Sequence, residues 1–158
     1  MEMVDLVVFE PRWLDALVRM WRASFEAGVG VIDPHPLADQ LRYFVDDVLP
    51  QNSVRLALHG DELVGFIASS PVAIAQLYVR VGHQRVGIGT QMLEWAKHHS
   101  VGSLWVYTFA RNEGARAFYA RQGFVEIAYG FEPFWELDDV RLQWKRRAQL
   151  PASPASDP

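Results

Sequence analysis

Apolar positions along the 158-residue chain switch repeatedly between two periods. Spacings of three and four put apolar side chains on one face of a helix. Alternation, or a short apolar run bounded by turn residues, marks a strand. Met3 to Phe9 reads as a first strand, closed by Pro11. Leu14, Leu17, Val18, Trp21 and Phe25 trace one face of an amphipathic helix that Gly28-Val29-Gly30 ends. After the stiff loop Asp33-Pro34-His35-Pro36, a second helical face follows at Leu37, Leu41, Phe44, Val45 and Val48, expected to stop at Pro50. Val54 to Leu58 and Leu63 to Ile67 flank His59-Gly60-Asp61-Glu62 as a hairpin. Val72 to Val79 is more apolar than alternating, so a central strand is expected there.

The second half continues in the same manner. A helix starts near Gly87 with Ile88, Met92, Trp95 and Ala96 on its buried side. Leu104 to Phe109 is a strand, Glu113 to Gln122 a helix, and Phe124 to Ala128 a strand opened by Gly123. Val140 to Trp144 alternates cleanly and closes the pattern. The elements predict one α/β domain over residues 1–147 and a disordered Pro/Ser/Ala-rich tail over 148–158.

Composition narrows the function. Half of the chain is hydrophobic, enough for a sizeable core. There is no cysteine, which excludes disulfides, a thiol nucleophile and a cysteine-held metal. The net charge of -4 argues against broad nucleic-acid binding. No long uncharged run would span a bilayer, and the start Met1-Glu2-Met3-Val4-Asp5 lacks the basic residues of a signal peptide, so a cytoplasmic protein is expected. His98-His99 lacks a partner set for metal, and no metal is expected.

The chemically informative stretch runs from Gln76 to Thr90, where a strand passes into a turn that opens a helix. Gly87 and Gly89 would let backbone approach a ligand closely, and free amides at the helix start would hold a pyrophosphate, with Arg85 beside them. The same glycines can equally make only a tight turn and a helix cap. Met92 stands where a dinucleotide fingerprint needs its third glycine, and no lysine precedes Thr90 as a P-loop requires.

A second motif follows. Gln84, Gly87 and Gly89, then Asn112, Ala115, Phe118, Tyr119, Gly123 and Phe124, resemble in order the two signatures of the GNAT superfamily of N-acetyltransferases. The resemblance extends more weakly over most of residues 3 to 146. It implies a mixed, mostly antiparallel sheet flanked by helices, with acetyl-CoA as acyl donor and a small-molecule or peptide amine as acceptor. It also allows a homodimer, because family dimers are frequent. The resemblance further implies that the strand at Leu77 and Val79 parts from the strand before Arg111. Backbone of Leu77 and Val79, and Asn112, would then hold the pantetheine arm. Amides of Gln84, Arg85, Val86, Gly87, Ile88, Gly89 and Thr90 would cradle the pyrophosphate, in a loop expected to be exposed. By the resemblance Tyr119 would protonate the departing sulfur. Read from the residues alone, Phe118-Tyr119 is an aromatic pair that packs a short helix onto the sheet, the role expected of Phe118.

The sequence departs from the family at the base. Val72-Ala-Ile-Ala-Gln76 carries no carboxylate, although many members have one there. Proton removal then falls to water or to the first interhelical loop, where Glu26, Asp33 and His35 are available but also read as exposed loop polars. Glycine is usual in the family at position 85, where this chain has an arginine that either adds a phosphate contact or is simply exposed. Phe131, Phe134 and Trp135 can wall an acceptor pocket or simply fill the core. A non-enzymatic acyl-CoA binding module on the same fold is the alternative to an enzyme.

Overall fold

The computed structural model describes residues 1–147, so the tail expected from 148 lies outside the described residues. In chain order the elements are β1 (Asp5–Val8), α1 (Leu14–Val29), α2 (Leu37–Tyr43), α3 (Leu49–Gln51), β2 (Ser53–His59), β3 (Glu62–Ser69), β4 (Ala73–Val79), α4 (Ile88–His98), β5 (Ser103–Phe109), α5 (Glu113–Arg121), β6 (Val125–Glu132) and β7 (Leu137–Lys145). One sheet collects the strands in the order β1-β2-β3-β4-β5-β7-β6, with β4 at its centre as its apolar run predicts. Neighbours are antiparallel except β4 and β5.

Each face of the sheet buries its own core. On one, Ile88, Met92, Leu93 and Ala96 of α4 and Tyr119 of α5 pack against Ile67, Ile74, Leu104, Val106, Val140 and Leu142. On the other, Leu17, Val18, Trp21 and Phe25 of α1 join Phe44, Val48, Leu56 and Phe66. Each large side chain buried this way contributes about 1.5–3 kcal/mol, so the faces that periodicity marks hold the fold together. Among the described residues no helix is long and apolar enough to cross a membrane.

Four boundaries differ from expectation. The first strand spans only Asp5–Val8, because the amide of Val4 bonds the Gln91 side chain instead of a neighbouring strand. The second helix does not stop at Pro50. Phe44–Val48 widens into a π-turn in which Leu49 N–H reaches Phe44 O, and α3 carries Pro50 in its first turn. An early helical position tolerates proline because its amide would lack a partner anyway. The same widening leaves Val45 exposed rather than on the buried face. β6 runs on to Glu132 and β7 begins at Leu137, because the two pair along a hairpin from Val125↔Gln143 to Glu132↔Leu137.

Candidate active site

β4 and β5 touch only at Ala73↔Trp105 and Ile74↔Val106. Immediately afterwards the β3–β4 register slips by one residue, since Ser69 faces Ile74 but Ala68 faces Gln76, which makes Ala75 the extra residue of a bulge. A bulge bends its strand and increases its twist. Beyond it β4 stays with β3 and leaves β5. Arg80 N–H bonds Val64 O at 2.7 Å, so by alternation Tyr78 and Arg80 direct their backbone groups to β3, while Leu77 and Val79 direct theirs into the gap. One of these groups is already engaged: the carbonyl of Val79 accepts Ser24 Oγ–H at 2.9 Å and Gln84 Nε2–H at 3.3 Å.

At the end of β4 the chain turns into α4 with Gly87 as N-cap at φ 91°. The first helical bond runs from Gln91 N–H to Gly87 O, which leaves the amides of Ile88, Gly89 and Thr90 without an intrahelical partner. These are the donors a pyrophosphate needs. Val81, Gly82, Gln84 and Arg85 are exposed, but Gly87, Gly89 and Thr90 are half-buried, which corrects the expectation of an open loop. A Cβ on Gly87 would lie 2.7 Å from Met1 Cγ, and Glu2 N–H bonds Val86 O at 3.0 Å, so the N-terminal arm covers one side of the turn. A Cβ on Gly89 would lie 3.2 Å from Phe118 and 3.7 Å from Val79. The bare side of Gly89 thus admits α5 and β4 rather than open space, and Phe118 is the packing residue expected of it. Arg85, where the family has glycine, sits at φ 65°, a left-handed conformation that disfavours any Cβ.

Helix α5 is pinned at several points. Asn112 Oδ1 accepts Ala115 N–H at 3.1 Å as the N-cap, a bond worth about 1 kcal/mol. Its amide nitrogen lies against Gly28, where a Cβ would come within 3.0 Å. Gln122 Nε2 donates to Thr90 Oγ1 at 3.0 Å, and Arg116 pairs with Glu126 at 2.7 Å. These bonds fix Tyr119, which is only 5% exposed between Phe118 and Phe124. Burial, and secondarily the neighbouring phenol of Tyr78, push its pKa above the ordinary tyrosine value. Tyr78 packs on the opposite face against Trp21 and Phe66, its own pKa pushed up to about 12 by burial despite a bond from Trp21. Two phenols on opposite faces thus lie within electrostatic reach of each other. Neither Tyr78 nor Ser24 stands out in the sequence reading, although a serine on the apolar face of α1 is a usable signal.

The interhelical loop is not a set of exposed polars. Asp33 is only 8% exposed. Its Oδ1 accepts His35 N–H at 2.8 Å, meets His35 Nδ1 at 2.7 Å and lies 3.3 Å from Arg22 Nη2. Burial alone would raise the Asp33 pKa, but the His35 bonds and the charges of Arg22 and His35 hold it below the ordinary value. Glu26 accepts Asp33 N–H at 3.2 Å, and Arg22 donates to the His35 carbonyl. The His35 ring stacks on Phe134 at 4.3 Å and meets the edge of Trp135 at 5.0 Å. Trp135 packs on Phe25 and against the core, the core role expected as one alternative, whereas Phe134 and Phe131 are exposed. His99 stacks on Trp95 and its ring bonds the Trp95 carbonyl at 2.8 Å, while both His98 and His99 are exposed.

The acetyltransferase (GNAT) family pattern matches residues 14–124. A probable N-acetyltransferase of Mycobacterium tuberculosis is 29% identical over 122 residues, covering 66% of this chain and 68% of its own length. The solution structure of apo-form YjaB from Escherichia coli superposes with a TM-score of 0.75 at 19% identity, over 92% of this chain and 99% of its own. The PaiA N-acetyltransferase of Thermoplasma acidophilum, crystallised with coenzyme A, superposes with a TM-score of 0.71 at 16% identity, over 90% and 99%. These structures share the fold of this chain, and the family match covers more than half of the sequence. On that basis the chain belongs to the GNAT family of acetyltransferases.

Proposed function

We propose that this protein transfers the acetyl group of acetyl-CoA to a primary amine by direct attack on the thioester. The observation that carries the reading is the gap between β4 and β5, which is followed by the free helix-start amides of α4. Amides from Gln84 to Thr90 would hold the pyrophosphate, with the Arg85 guanidinium as a further contact. The gap-facing backbone of Leu77 and Val79 and the amide of Asn112 suit a pantetheine arm, which carries amides of its own. Bound there, acetyl-CoA supplies an activated acyl group with a thiolate leaving group.

The residues of the chain do the rest. Backbone N–H groups of β4 that face the gap are donors for an oxygen gaining negative charge. Burial raises the pKa of Tyr119 and so favours its protonated form, the form that can donate to the departing sulfur. The acceptor is a small-molecule or peptide amine. Relatives named as acting on amines support this class, including a ribosomal-protein-alanine N-acetyltransferase from Brucella melitensis of the same fold.

A panel of primary amines with acetyl-CoA, followed by release of free thiol, tests the reading. Turnover of at least one amine is expected. Tight CoA binding by calorimetry without any turnover would instead make this an acyl-CoA binding module, and absence of both would remove the ligand altogether.

A further inference from the structure

We propose that His35, oriented by Asp33, takes the proton of the acceptor amine; this rests on the acetyl-transfer reading above. β4 carries no carboxylate, and two of the three acidic or basic candidates around the first loop are already committed. Asp33 is nearly buried and engaged by His35 and Arg22, and Glu26 is held by the Asp33 amide with Arg22 3.9 Å away. His35 remains.

The tautomer follows from the partner. Asp33 is held in its ionised form, and an ionised carboxylate only accepts. Nδ1 of His35 is therefore the nitrogen that carries hydrogen when the ring is neutral, and the lone pair is left on Nε2. An imidazole with one nitrogen fixed by a carboxylate and the other basic is the arrangement that accepts a proton well. Phe134 on the ring face and Trp135 at its edge restrict the ring further, and Arg22 fixes the loop through the His35 carbonyl. A side chain held on three sides in an irregular loop is a preorganised group.

Its position suits the role. Trp135 packs on Phe25 at 4.8 Å, Phe25 on Phe109 at 6.0 Å, and Phe109 is the last residue of β5, three residues beyond the last β5 position paired with β4. Ser24, next to Phe25, bonds the gap-facing carbonyl of Val79. The charged groups around the imidazole are Asp33, which meets it directly, Arg22 and Glu26 of α1, which bond the His35 carbonyl and the Asp33 amide, and Glu132, whose carboxylate accepts Trp135 N–H. Nε2 takes one proton from the incoming ammonium. The neutral nitrogen then bonds the acyl carbon, the carbon–sulfur bond breaks with its electron pair going to sulfur, and the sulfur receives the Tyr119 proton. The second nitrogen proton returns to solvent, from which Tyr119 is reprotonated.

Two experiments test this. In the first, the neutral imidazole of His35 is examined by nitrogen NMR of the unliganded protein; the form with hydrogen on Nδ1 is expected, and hydrogen on Nε2 would overturn the assignment. In the second, acetyl-CoA and 2-phenylethylamine are the probes, an apolar amine chosen for the exposed Ile32 and Phe134 that flank the loop. His35→Gln should lower kcat about 10²-fold, near the lower end for general base catalysis, abolish the acidic limb of the rate profile and leave CoA affinity unchanged. Added imidazole should restore part of the rate to His35→Ala. A retained limb with no rescue in a folded variant makes His35 a packing residue. Wild-type protein that turns over no amine sinks the acetyl-transfer reading, and the NMR measurement then decides the histidine assignment by itself.

Discussion

Ser24 Oγ donates to the carbonyl oxygen of Val79 at 2.9 Å, bolting the middle of α1 to the gap-facing edge of β4. Gln84 reaches the same oxygen from the turn before α4. A helix, a parted strand and the turn before α4 thus meet at one acceptor atom. Ser24→Ala should destabilise the fold by about 1 kcal/mol, the ordinary net value of one such bond, since Gln84 still partners the carbonyl. Urea unfolding should show a lower midpoint with an unchanged slope; a midpoint equal to wild type would mean the bond contributes nothing.

Arg85 allows backbone and charge to be separated. Its φ of 65° costs a residue with a Cβ about 1–2 kcal/mol, partly offset in glycine by about 0.5–1 kcal/mol of chain entropy. Arg85→Gly should therefore be as stable as wild type or slightly more so, and Arg85→Ala should gain nothing. If the guanidinium meets phosphate, calorimetry should show both variants losing CoA affinity equally, by about threefold to tenfold, a fraction of one charge-assisted bond at an exposed position. Equal affinity in all three proteins would place the arginine in solvent.

Replacing Tyr119 by phenylalanine keeps the packed ring and removes the donor. Turnover should fall towards the lower end of the roughly 10²–10⁴-fold range for a positioned acid, with acetyl-CoA affinity nearly unchanged. The loss should shrink for acyl donors with more acidic thiols. The same hydroxyl has a stability signature. Its pKa is raised in the folded state, so the folded protein holds that proton more tightly than the unfolded chain. The contribution is intact below the ordinary value of 10.0 and is lost as pH rises from there. Tyr78 behaves likewise up to about 12. Denaturation followed above pH 10 should show stability falling, and each Tyr→Phe change should flatten the fall; a wild-type slope in both variants would contradict the burial argument.

Asp33 has the opposite sign. Its folded pKa lies below the ordinary 3.8, so its stabilisation is present above that value and is lost as pH drops through the folded pKa. Asp33→Asn should make the protein less stable at neutral pH and remove this part of the acid dependence. If His35 acts on the amine, the same variant should also lower kcat while sparing CoA affinity, because the imidazole loses the partner that fixes its tautomer. Unchanged acid unfolding would show that the Asp33 contacts do not persist in solution.

Sequence by itself determined much of this molecule. The apolar face of α1, the buried run of β4, the helix start at Gly87 and the cap at Asn112 are local signals, set by spacing and by residue conformational preference, and they appear where the pattern puts them. The two ordered motifs also fix the family. Only the tertiary structure decided the rest. The bulge at Ala75 that opens the gap arises from how β4 registers against β3, which no periodicity within β4 records. The bare side of Gly89 faces Phe118, a contact between helices almost thirty residues apart. Asp33 and His35 read as loop polars in the sequence because their partners lie on other elements: Arg22 approaches them from α1, and Phe134 and Trp135 arrive from a hairpin about a hundred residues further on. Burial and side-chain partnership are properties of distant chain brought together, so the chemistry of that loop became visible only once the hairpin between β6 and β7 had closed over it.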